Sequence, residues 1–64
     1  MSAHINIEKN RNGQYIWVLV RETEAEPERL AQSAGTYRSI DDAKKAAEEF
    51  KQLAPKANVL GVAS

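Results

Sequence analysis

His4 is the single histidine of the chain, and a lone imidazole acts as general base or metal ligand only with partners at defined spacing. None is present: there is no cysteine and no second histidine. His4 therefore reads as a solvated surface residue, and no metal site is expected. Asp41 and Asp42 are paired carboxylates, but their position just after Ser39 gives a simpler account as the acidic first turn of a helix. Glu48 and Glu49 each follow a lysine, Lys44 and Lys45, by four residues, the spacing of helical ion pairs. Ser33 and Ser39 have no base nearby in sequence, and three glycines form no phosphate-cradling loop. The expectation is a non-enzyme with no catalytic residue and no cofactor.

Four arginines, Arg11, Arg21, Arg29 and Arg38, raise the question of nucleic acid. The 64-residue chain balances nine Lys and Arg against nine Asp and Glu, for a net charge of zero. Phosphate neutralisation needs a clustered excess of cations, and these arginines are spread over three segments. No apolar run approaches the roughly 18 residues of a membrane span, and no basic-then-apolar signal pattern opens the chain. A cytoplasmic location is expected. An apolar content of 42% with 28% charged residues is that of a folded domain. So short a chain is one small domain with little stability margin of its own.

The elements that position these residues follow from periodicity. Ala3, Ile5 and Ile7 alternate with His4, Asn6 and Glu8, predicting a half-buried strand over about 3–9. Asn12-Gly13 is a strong hairpin cue. The β-branched and aromatic run Tyr15-Ile16-Trp17-Val18-Leu19-Val20 predicts a second strand over about 14–22. An acidic loop through Pro27 leads to a weaker third strand over about 29–33, with a bulge or bend expected at Ala34-Gly35. Ser39 as N-cap, with Asp42 three residues on, starts a helix over about 40–54. Ala43, Ala47, Phe50 and Ala54 recur at helical spacing, and Pro55 ends the helix. An apolar tail, 56–64, follows. The order β-β-β-α makes this an α+β domain: a three-stranded antiparallel sheet with one C-terminal helix on one face.

With Ile5 and Ile7, Asn12-Gly13, Tyr15-x-Trp17-x-Leu19, Ala31-x-Ser33, Tyr37-x-Ser39, Ala43, Lys51 and Ala54-Pro55-x-Ala57-x-Val59 in register, the chain resembles the YegP-like family of small bacterial and archaeal proteins. The resemblance spans about Ile5 to Val59. It implies a three-stranded sheet covered on one face by a helix, carried once, often as a homodimer, or twice in tandem. It implies no known enzyme activity and no established ligand. The chain departs from the family pattern in placing Ile16 and Val18, rather than arginines, beside Trp17. It also has the acidic stretch Glu22 to Pro27 where a short link is usual, and Gly35-Thr36 in place of Glu-Gly.

The Asn-Gly cue permits two hairpin registers. A two-residue loop pairs Ile7 with Val18; a three-residue loop, with Gly13 left-handed, pairs Ile7 with Trp17. A one-residue slip turns every side chain of the second strand to the other face. The resemblance implies the second register, and that is the register expected. It puts Ile5, Ile7, Tyr15, Trp17 and Leu19 under the helix and leaves Ile16, Val18 and Val20 on the open face, an apolar patch of about 300 Å². The expected interface is therefore Ile16, Val18 and Val20, aided by Val59, Leu60 and Val62, and the expected partner is a second copy. The alternatives are that the tail folds over the open face, or that these side chains are simply half exposed. Two other functions are weighed: a nucleic-acid-binding accessory protein, since the layout also resembles the sheet-reading arm of some phage integrases, and a small regulator docking on a larger protein.

Overall fold

Asn10 closes the first hairpin. Its backbone N–H donates to Gln14 O at 2.8 Å, and its side-chain oxygen accepts from the N–H groups of Asn12 and Gln14 at 2.9 and 3.0 Å. Gly13 takes φ +80°, the left-handed conformation in which a Cβ is penalised. The result is the three-residue loop, with Ile7 opposite Trp17 and Ile5 opposite Leu19. In this computed structural model, which describes residues 2–61, the strands are β1 (Ala3–Lys9), β2 (Tyr15–Arg21) and β3 (Glu28–Gln32). They form an antiparallel sheet in the order β1-β2-β3.

Besides the expected bend at Ala34-Gly35, β3 carries a bulge that the sequence pattern does not mark. Leu19 pairs with Ala31, but Val20 pairs with Arg29, so Leu30 is an extra residue bulged out of the ladder. A bulge changes the phase of the strand, placing Arg29 on the same face as Val18 and Val20. At Ala34 and Gly35 the chain bends, and Tyr37 then bridges back to Tyr15.

Helix α1 (Ile40–Leu53) starts at Ser39, whose Oγ accepts from the Asp42 N–H at 3.1 Å. The chain ends the helix in a 3₁₀ turn, Ala54–Lys56, with Pro55 in its first positions. Ala43 and Ala47 are the buried residues of the helix, and their small side chains let it lie close against β2. Phe50 meets Trp17 with ring centroids 4.5 Å apart. The helix packs on β2 and β1 and not on β3. A helix is about 10 Å across and strands lie about 4.8 Å apart, so one helix covers two strands only.

Candidate interaction surface

The structure corrects the expectation that Ile16, Val18 and Val20 stand open on the face away from the helix. Val18 has 0% of its surface exposed and Val20 5%, while Ile16 is half-buried. The cover is polar. Arg29, beside Val20 on β3, donates to Glu8, beside Ile16 on β1, at 3.0 and 3.3 Å. It also approaches Gln32 Oε1 at 3.4 Å. A side-chain pair joining the two outer strands must cross the central one, and it crosses at Val18. An arginine can lay its hydrocarbon stem over apolar surface while its charged head stays in water, and the Arg29 side chain is 53% exposed. Glu26 and Pro27 of the β2–β3 loop come beside Val20.

Among the tail residues expected at the interface, Val59 is 100% and Leu60 83% exposed, so neither covers a face of the sheet. Val62 lies outside the described residues.

The open apolar surface is on the helix side. The helix sits over β2 through its alanines, leaving Ile5, Ile7 and Leu19 half-buried. With Ala47 and Phe50 they floor a groove of about 640 Å³, walled at one end by Ala54 and Pro55. Lys44, Glu48 and Lys51 stand along the helix side of the groove.

Beside the groove runs the free edge of β1. Glu22 N–H donates to Ser2 O at 2.8 Å and Asn10 N–H to Gln14 O at 2.8 Å, which sets the parity of the ladder. Even-numbered residues of β1 direct their backbone groups to β2, and odd-numbered ones direct theirs outward. The outward N–H and C=O groups therefore belong to Ala3, Ile5, Ile7 and Lys9, whose side chains share the helix side of the sheet. A seven-residue edge with no bulge in its register is a template for another strand. The opposite edge, on β3, is interrupted by the bulge at Leu30.

His4 Nδ1 lies 3.6 Å from Glu22 Oε1, both half exposed. Ser33 is buried, accepting from the Trp17 N–H at 3.4 Å and donating to Gly35 O at 2.9 Å. Of the arginines, Arg21 pairs with Glu28 and Arg29 with Glu8. Among the described residues no three His, Cys, Asp or Glu side chains gather closely enough for a metal ion. None of their buried side-chain polar atoms lacks a hydrogen-bond partner, and no helix they form is long and apolar enough to cross a membrane.

Sequence patterning places Ile5, Ile7 and Leu19 on the helix side without fixing how far across the sheet the helix reaches. The available signal was the width of the alanine stripe, Ala43 and Ala47, which is too narrow to fill the space above both Ile5 and Ile7.

No protein-family profile matches this chain, and no curated protein matches it. A protein from Haloferax volcanii with an NMR solution structure is 31% identical and superposes with a TM-score of 0.81, the match covering 95% of this chain and 97% of that one. The β-β-β-α fold is thus shared with a solved relative, and the chain belongs to the same family as that Haloferax volcanii protein.

Proposed function

We propose that this chain is a cytoplasmic, non-enzymatic interaction module that forms a homodimer by seating the C-terminal segment of one copy along β1 of the other. The observation that carries the reading is the coexistence of an apolar groove at Ile5, Ile7 and Leu19 with an exposed apolar segment at Val59-Leu60. An extended segment added to a sheet edge gains backbone hydrogen bonds along its length and side-chain burial at alternate positions. Here the outward groups of Ile5 and Ile7 offer the hydrogen bonds, and the groove takes every second side chain of the incoming strand. A two-fold axis repeats the contact, so each copy both gives and receives a segment. The YegP-like resemblance, whose single-unit members often pair, agrees with this reading. Nucleic acid is disfavoured because two of the four arginines are matched with Glu8 and Glu28.

The test is solution mass by light scattering across a concentration series at two salt levels, on the parent and on Val59→Asp/Leu60→Asp. The parent is expected at twice the chain mass, with little dependence on salt. The variant is expected to keep its helix content and run as a monomer. A parent that stays monomeric, or a variant that dimerises as tightly as the parent, refutes the reading.

A further inference from the structure

The turn that ends the helix decides whose groove the tail can reach. Helix α1 begins next to Tyr37, which bridges to Tyr15 opposite Lys9, the far end of β1. It ends at Ala54 and Pro55, which line the groove together with Ala3 at the start of β1. The helix therefore runs antiparallel to β1, and the tail leaves from the end wall of its own groove. The 3₁₀ turn is closed by the Ala57 N–H donating to Ala54 O at 3.2 Å. Ala57 then takes φ −76°, ψ 139°, an extended conformation, and Val59 and Leu60 stand in solvent.

For the same tail to lie along its own β1 the chain must reverse at once. A tight reversal uses about four residues, which here are 56–59. That takes Val59 into the turn and leaves Leu60 level with Ala3, short of Ile5 and Ile7. A second copy carries no such restriction, because its tail can approach the groove from outside.

Building on the homodimer reading above, we infer that the Ala54–Lys56 turn acts as a device that keeps Val59 and Leu60 off Ile5 and Ile7 of their own copy and so makes that contact intermolecular. A tight connection that prevents closure within one chain favours exchange between chains. Lengthening the connection turns the same contacts into a closed monomer.

The experiment inserts about six Gly/Ser residues between Lys56 and Ala57, enough to span roughly 13 Å as a flexible coil. The insert lies on exposed backbone after the helix, so the fold is retained. A short flexible tether supplies an effective concentration of about 1 mM. For a parent dimer with a dissociation constant of about 10 µM, that tether weakens apparent dimerisation by about 100-fold. Light scattering is read together with amide hydrogen exchange at Val59 and Leu60. A monomer with both amides protected is the expected result. A lengthened chain that dimerises within threefold of the parent overturns the role of the turn, as does a monomer whose Val59 and Leu60 amides exchange freely. Failure of the underlying dimer reading shows separately, as a Val59→Asp/Leu60→Asp chain of parental length that still dimerises like the parent.

Discussion

Replacing Val18 by alanine removes two methyl groups from a side chain with no exposed surface. At about 0.8 kcal/mol per buried methylene equivalent, the transfer loss is about 1.6 kcal/mol. A rigid site adds a cavity cost, whereas a site that relaxes adds little. The cover here is the Glu8–Arg29 pair, whose side chains are 38% and 53% exposed, so it can settle into the gap and the cavity cost stays small. For a domain of this size each 1 kcal/mol moves the melting temperature by about 4–8 °C, so Val18→Ala is expected to lower it by roughly 6–13 °C. Val18→Lys replaces a buried aliphatic group by a buried ammonium, a loss exceeding the stability margin of a chain holding about 3–10 kcal/mol in all. The assay is thermal unfolding followed by far-ultraviolet circular dichroism at fixed protein concentration, since self-association also shifts the midpoint. A Val18→Ala midpoint within about 2 °C of the parent, or a folded and stable Val18→Lys, refutes the claim that Arg29 and Glu8 close over Val18.

Two further outcomes follow from the fold. Trp17→Ala removes the ring that meets Phe50 at 4.5 Å and is expected to cost about 3–5 kcal/mol, leaving a large unfolded fraction at 37 °C; denaturant titration checks it. Gly13→Ala forces a Cβ onto a residue at φ +80° and is expected to cost about 1–2 kcal/mol. The hairpin register is retained, read from unchanged amide shifts in β1 and β2; a shifted register contradicts the account of the turn.

Local signals carried most of the architecture. Asn12-Gly13 placed the hairpin, and the Tyr15 to Val20 run placed β2. Ser39 with Asp42 marked the helix start to the residue. The alternation in β1 fits both loop lengths, so the register was not legible from patterning alone; it is fixed by Gly13 at φ +80° in the three-residue loop. The covered state of Val18 was not legible, because it depends on Glu8 and Arg29 meeting across β2 from positions far apart in sequence. That meeting depends on the bulge at Leu30: without it, Val20 faces Leu30 and Arg29 points to the helix side. Short apolar runs such as Leu30-Ala31 carry no mark of such a phase change. The groove depends likewise on where the helix settles across the sheet, which follows from the small volumes of Ala43 and Ala47 rather than from their apolar character.

The measurement that bears most directly on the dimer is isotope-filtered NMR on a mixture of labelled and unlabelled protein, recorded where light scattering gives twice the chain mass. The account predicts intermolecular contacts from the methyl groups of Val59 or Leu60 in one copy to those of Ile5 and Ile7 in the other. Intermolecular contacts that leave the groove untouched and centre instead on Ile16 and the outer face of the sheet would contradict it.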